Sequence, residues 1–268
     1  MSFSFKTILV PVDFSINTDV AISKAIEIGD KDATTLHLLH VAAQESDEAA
    51  LEQLNELKIN IGKNATNVNV FTWLQQSSSV QQGIADKAKN LNADLIVIGK
   101  SSTHSWFPFL KTVASSDLVE LSGTAVFTVK PGALHNAIKT VVVPVAEDLP
   151  EQKMQAILAL CKKGKIKVHL VTFMNDENIA SEFSAAALLK FYQWLKDSVH
   201  CTVEYAVLHG SNKVKAVLLY AEKIEADILL VHPTSETKIG WMNRHISDVL
   251  SPDSKVQVLA VQPSHSLT

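Results

Sequence analysis

The stretch KTILVPVDFS at residues 6–15 decides the fold, because it is written a second time as KTVVVPVAED at 139–148. Each copy is a Lys-Thr followed by a short apolar run that breaks at Val-Pro-Val, and the offset is 133 residues in a chain of 268. Later landmarks recur in order. DLIVIGKSS at 94–102 answers DILLVHPTS at 227–235 at the same offset, and AVFTVKP at 125–131 answers VQVLAVQP at 256–263. Solenoid repeats run at about 20–50 residues, so two copies at this period mean duplicated domains. The domains are expected at 1–132 and 138–268, each large enough to bury its own core.

In the first copy, Thr7–Val12 is too short for a helix, rich in β-branched residues and closed by Pro11 and Asp13, so it reads as a strand. Ser15 or Asn17 can cap a helix over Asp19–Ile28, and Ser79 one over Val80–Leu91. Further helices are expected at Asp47–Ile61 and Thr112–Leu121. Strands are expected at Thr35–Ala42, Asn69–Leu74, Asp94–Ile98 and Ala125–Val129. The second copy repeats the order, with strands near Thr140–Val145, Lys167–Phe173, Thr202–Leu208, Asp227–Val231 and Val256–Val261. Its helices are expected near Glu151–Lys162, Ala180–Asp197, Val214–Ile224 and Arg244–Leu250. Near-continuous apolar strands alternating with helices mean a parallel sheet covered on both faces. Right-handed crossovers then give an α/β, doubly wound, open five-stranded sheet in each half. Pro131–Ala137 is a short linker that holds the halves close.

Composition removes several functional classes. A hydrophobic content of 47% against 19% charged residues marks a globular chain. No apolar run reaches the ~18–20 residues of a membrane span, and MSFSFKTILV lacks a basic region ahead of a long apolar segment, so a cytoplasmic protein is expected. Net charge is −4 and Arg244 is the single arginine beside 23 lysines. A nucleic-acid binder usually shows a basic stripe rich in arginine forks, so nucleic acid is not expected as a partner. The two cysteines, Cys161 and Cys201, are too few for a disulfide framework and are expected as buried free thiols.

The opening strand with Val-Pro-Val-Asp, the Asp-Leu-Ile-Val-Ile-Gly strand and the closing Val-Phe-Thr-Val-Lys-Pro strand together resemble the universal stress protein family, here as a tandem pair covering nearly the whole chain. The resemblance implies an adenine nucleotide alpha hydrolase-like, Rossmann-like layer in each half, related by a pseudo-twofold axis. It also implies a nucleotide site over the C-terminal ends of the first and fourth strands. Pro11, Val12, Asp13 and Val41 are placed at the adenosine end, and Gly99, Ser102, Thr112 and Val113 along the phosphate side. Nucleotide-binding members carry Gly-x2-Gly-x9-Gly-[Ser/Thr], whose glycines let backbone amides approach phosphate at a helix N-terminus. Here Gly99 fits the first glycine, Ser102 stands at the second, and Thr112-Val113 at the third. Trp106-Phe107-Pro108-Phe109 adds apolar bulk to the same loop. The second copy departs further, with Ala146 at the aspartate position, His232-Pro233 at the first glycine and Ser235 at the second. Gly240 lies too early to replace the third, and Trp241-Met242 again adds bulk.

The function expected from this pattern is a cytoplasmic stress-response or regulatory protein without catalysis, carrying a degenerate nucleotide-binding motif. An ATP-binding switch with weak ATPase activity in the first domain stays open, as does a small-ligand or zinc module in the second. For zinc, His232 and His245 with Asp248 or Glu236 would be the ligands. His37 and His40, three apart in one strand, point to opposite faces. Lys162-Lys163-Gly164-Lys165-Ile166-Lys167 reads as a solvated helix end favoured by the helix dipole. Family members commonly dimerise through their fifth strands, so a tandem chain is expected to make that pairing internally, Ala125–Val129 against Val256–Val261. A homodimer of the whole chain is a further association that this habit allows. Trp106 and Trp241 are expected to be partly buried.

Overall fold

The computed structural model describes residues 4–30, 33–42, 48–100, 113–145, 151–162, 164–173, 180–198, 201–210, 212–232, 238–239, 244–246 and 250–262. The first half runs β1 (Thr7–Pro11), α1 (Ile16–Ile28), β2 (Thr34–Ala42), α2 (Glu48–Asn64), β3 (Val68–Gln76), α3 (Val80–Asn90), β4 (Leu95–Gly99), α4 (Ser115–Ser122) and β5 (Ala125–Val129). A 3-10 turn at Pro131–Ala133 leads into the second half. That half runs β6 (Thr140–Pro144), α5 (Glu151–Cys161), β7 (Lys167–Phe173), α6 (Ala180–Ser198), β8 (Thr202–Leu208), α7 (Lys213–Lys223) and β9 (Ile228–Val231). It ends with β10 (Lys238–Ile239), β11 (Arg244–His245) and β12 (Gln257–Ala260).

Ten strands form one sheet in the order β3-β2-β1-β4-β5-β12-β9-β6-β7-β8. Within each half the pairs are parallel, and β5 meets β12 antiparallel, with Val126, Phe127 and Thr128 opposite Ala260, Leu259 and Val258. The strand order reverses between β1 and β4, and again between β6 and β9. Helices α1, α2, α5 and α6 cover one face in a core that runs through both halves and includes Phe5, Val20, Leu54, Phe127, Ile157, Phe191 and Leu259. Helices α3, α4 and α7 cover the other, around Leu9, Ile84, Ile96, Leu118, Val217 and Leu229. Both faces of the inner strands are buried, which is why β1, β4, β5, β6, β9 and β12 read as apolar runs, whereas the edge strands β3 and β8 keep exposed residues such as Phe71 and Tyr205.

The repeated residues do repeated work. Asp94 Oδ2 accepts from the Lys6 and Thr7 amides at 2.9 and 2.8 Å. Asp227 Oδ2 accepts from Lys139 and Thr140 at 2.8 and 2.9 Å. One carboxylate therefore ties the start of the central strand to the strand beside it in each half, with charge-assisted bonds that satisfy edge amides. Ser15 and Ser79 cap α1 and α3 through Asn17 N and Gln82 N.

The linker is held by side chains of α1. Buried Lys24 ion-pairs with Glu27 at 2.6 Å and donates to the Asn136 carbonyl. Glu27 Oε1 accepts from Ile138 N at 2.7 Å. A Cβ on Gly132 would lie 2.3 Å from the Asp253 carbonyl oxygen, so glycine is required where the linker passes the turn before β12. Lys130 N donates to Gln257 Oε1 at 2.6 Å across the same junction.

The expected helix at Arg244–Leu250 is corrected at its start. Arg244–His245 pairs as a strand with Lys238–Ile239. A two-residue antiparallel pairing lets backbone groups satisfy one another, which periodicity over seven residues does not reveal. No helix among the described residues is long and apolar enough to cross a membrane.

Candidate functional site

Ligands of open α/β sheets collect beyond the C-terminal ends of the strands where the order reverses. In the first half that crevice lies at β1 and β4, where Pro11 ends β1, Val12 and Asp13 follow it and Gly99 ends β4, while Val113 is buried in the core under α3, α4 and α7. Ser102 and Thr112 fall outside the described residues, as do Ala146, Pro233, Ser235, Gly240 and the Trp106 and Trp241 loops.

Val12, Asp13, Val41 and Gly99 each have a structural task. Asp13 is buried, and its Oδ1 accepts from Ser15 Oγ at 2.6 Å, Ser15 N at 3.1 Å and Thr18 Oγ1 at 2.8 Å. It thereby shapes the turn that starts α1, as aspartates do in Asx-turns. Phe14, next in the chain, takes φ 57° and lays its ring 4.9 Å from His40. His40 Nδ1 lies 2.8 Å from the Val12 carbonyl, so this nitrogen carries the proton. Val41 is fully buried, with its methyls 3.2–3.3 Å from where a Cβ on Gly83 would sit.

Gly99 carries the sharpest constraint. A Cβ there would lie 2.0 Å from the Asn17 carbonyl oxygen and 2.5 Å from its carbon. The first turn of α1 thus lies directly on the end of β4. This glycine permits close backbone approach between helix and strand, whatever sits beyond it.

Asn17 was not a sequence-derived candidate, yet it is the residue most exposed to chemical interpretation. It is only 5% accessible, and its Oδ1 is buried without a hydrogen-bond partner among the described residues. The amide orientation follows from the network. Ser15 Oγ gives its hydrogen to Asp13, so it can only accept from Asn17 Nδ2 at 3.2 Å. Asn17 Oδ1 is therefore a buried acceptor on the residue whose backbone lies against Gly99.

The second crevice is built differently. His232 stands at the Gly99 position and is buried, its imidazole depressed to about 3, first by burial and then by the Lys153 ammonium. Lys153, almost completely buried on α5, donates to the Pro144 carbonyl at 2.8 Å at the end of β6. Its first-half counterpart at the 133-residue offset is the apolar Val20. Lys153 precedes buried Ala156, Ile157 and Leu160 at helical spacing, so its inward face was available to sequence reasoning. Among the described residues no group of three or more His, Cys, Asp or Glu could hold a metal ion.

Two further histidines lie on the strands β2 and β7, while the His245 side chain, Glu236 and Asp248 of the zinc reading fall outside the described residues. His37 accepts from Trp73 Nε1 at 3.0 Å, and burial, then Lys87, lowers its pKa. His169 lies 3.0 Å from the Tyr220 hydroxyl and 3.6 Å from Glu204. Cys161 and Cys201 are free thiols as expected, but half-buried rather than buried, and they hydrogen-bond to each other. A helix end and a strand start 40 residues apart give no sequence signal of that meeting.

Comparison with known proteins now bears on identity. Residues 4–130 match the model of the universal stress protein family. A universal stress protein from Archaeoglobus fulgidus superposes with a TM-score of 0.70 at 17% identity, over 97% of this chain and 99% of that one. The cytoplasmic domain of a prokaryotic cation chloride cotransporter superposes with a TM-score of 0.60 at 12% identity, over 97% and 96%. At these identities the superpositions speak for the fold alone. No curated protein matches the sequence. A tandem arrangement fits the chain length and the ten-stranded sheet, and residues 4–130 of this chain are a domain of the universal stress protein family.

Proposed function

We propose that this chain is a cytoplasmic stress-response regulator that works without catalysis and whose nucleotide-binding motif has degenerated in both halves. Family membership supports the stress-response role. The observation that carries the degenerate-motif reading is the contact at Gly99, where the Asn17 carbonyl fills the space beside the one retained motif glycine. Asp13, Val41 and Gly99 are each accounted for by local structure, so their retention does not require a nucleotide. In the second half His232 and Lys153 occupy the corresponding crevice. A second reading, an ATP-binding switch in the first half, is favoured by Asp13 lying at the point where the strand order reverses.

Titration calorimetry and thermal shift with Mg-ATP, ADP, AMP and adenosine separate the two. A ligand at 100 times its Kd stabilises by about 2.7 kcal/mol, roughly 5 °C for a chain of this size. The proposal expects no saturable heat and no such shift with ATP. Saturable ATP binding that Asp13→Ala removes would install the switch instead.

A further inference from the structure

We propose that Cys161 and Cys201 form a redox-active dithiol, in which Cys201 reacts with a hydroperoxide and Cys161 resolves it into an intramolecular disulfide. The placement is specific. Cys161 is the last residue of α5, and Cys201 immediately precedes β8. Thr202 donates from its backbone to the Ile166 carbonyl at 3.2 Å and pairs in register with Lys167, so the start of β8 is fixed beside the start of β7. That pairing brings Cys201 to the end of α5, where the two thiols hydrogen-bond. Both are half-buried against the core that contains Phe191, Leu195 and Val203, so neither is sealed from a small oxidant.

The two sulfurs are unequal. The hydrogen bond donated by Cys161 favours the Cys201 thiolate and lowers its pKa, against an opposing effect of burial. The same hydrogen bond and then burial push the Cys161 thiol up. Cys161 also sits at a helix C-terminus, whose partial negative charge disfavours a second thiolate. A partly exposed thiol whose thiolate is favoured is the form in which cysteines react.

The chemistry balances. The Cys201 thiolate attacks the terminal hydroperoxide oxygen, the O–O bond breaks, and the alkoxide leaves with a proton as alcohol or water. Cys201 is then a sulfenic acid. Cys161 sulfur attacks Cys201 sulfur, the S–S bond forms, the S–O bond breaks, and hydroxide leaves with the Cys161 proton as water. Two thiols lose two electrons and one peroxide gains them. An external thiol reverses the step by exchange.

The test uses the full chain, reduced and then given one equivalent of hydrogen peroxide, alkylated, and read by intact mass and non-reducing peptide mapping. The expected result is simultaneous loss of both thiols and a single cross-link joining the Cys161 and Cys201 peptides. Cys161→Ser should stall as a sulfenic acid on Cys201 that a cyclic dione captures. Cys201→Ser should oxidise at Cys161 at least ~10-fold more slowly. The wild-type rate, compared with that of the urea-unfolded chain, keeps the test decisive if either variant folds poorly. Disulfide-linked dimers as the main product, equal reactivity of Cys161 in Cys201→Ser, or a folded chain no faster than the unfolded one would each overturn the assignment.

Discussion

Replacing Gly99 with alanine tests whether this glycine serves packing or a ligand. The added Cβ would sit 2.0 Å from the Asn17 carbonyl oxygen and 2.9 Å from Asn17 Cβ. The obstacle is mostly backbone of the first turn of α1, and it cannot rotate aside as a side chain would. That turn is pinned by Ser15 capping and by the Asp13–Thr18 bond, and Asn17 and Thr18 are both buried. The helix must therefore shift as a body. Overpacking of a tight core costs about 1–3 kcal/mol, and a rigid backbone obstacle belongs at the top of that range, about 3 kcal/mol. For a chain of this size that is a fall in Tm of roughly 5–6 °C. Gly62→Ala is the matched control. Its Cβ meets nothing within 4 Å on α2, so it should stabilise by roughly 0.5–1 kcal/mol. Thermal and urea melts of both variants, without nucleotide, read the difference. A Gly99→Ala chain melting within about 1 °C of wild type would refute the packing argument and return Gly99 to the candidate phosphate site.

Glu27→Ala should cost about 3 kcal/mol in urea melts, because it leaves the Lys24 ammonium with only the Asn136 carbonyl of its two named acceptors and frees the Ile138 amide; Glu27→Ala combined with Lys24→Met should recover part of that loss, and an unchanged midpoint in the single variant would count against the clamp. Acid should weaken the fold through His232. Its folded value of about 3 lies below the ~6.5 of an unfolded histidine, so the unfolded chain takes up the proton first. The stability is fully present above about pH 6.5 and is lost towards pH 3, at up to ~1.4 kcal/mol per pH unit. His232→Leu should flatten that slope in urea melts across this range, leaving the contribution of His37 and His169, whose values are also lowered. An unchanged slope would show that His232 already protonates in the fold.

Much of the architecture was legible because it is written in strands buried on both faces. Ala125–Val129 and Lys167–Phe173 were bounded to the residue because turn-forming or polar residues flank each run, and the half-exposed edge strand Thr202–Leu208 was bounded by its β-branched and aromatic residues. The 133-residue offset also matched Asp94 with Asp227, and each makes the same pair of bonds to amides. The site was less legible, because a residue type does not say which neighbour requires it. Gly99 reads as a phosphate glycine in one dimension, and only the position of Asn17 shows what a side chain there would strike. The start of Arg244–Leu250 was misread for a different reason. Two paired residues at Arg244–His245 depend on a partner at Lys238–Ile239, and such a pairing has no period of its own.

The antiparallel seam between β5 and β12 determines how far the two chemical features can act on each other. Because the halves run in opposite directions across the seam, the C-terminal strand edge of the first half lies on the same side of the sheet as the N-terminal strand edge of the second. Cys201, at the start of β8, is on that N-terminal edge, and so is the end of α5, which runs back from the end of β6 to the start of β7. The thiol pair and the Gly99 crevice therefore share one side of the molecule. Counting strands in the order observed, β8 is six to seven positions from the β1–β4 junction. At about 4.8 Å per strand, that is roughly 30 Å. A disulfide at Cys161–Cys201 cannot touch anything bound at Gly99. Its direct effect is confined to the outer edge of the second half, where it would lock the end of α5 to the start of edge strand β8. Oxidation should therefore be read out at that edge, through whatever meets β8 and α6, rather than through occupancy of the first crevice.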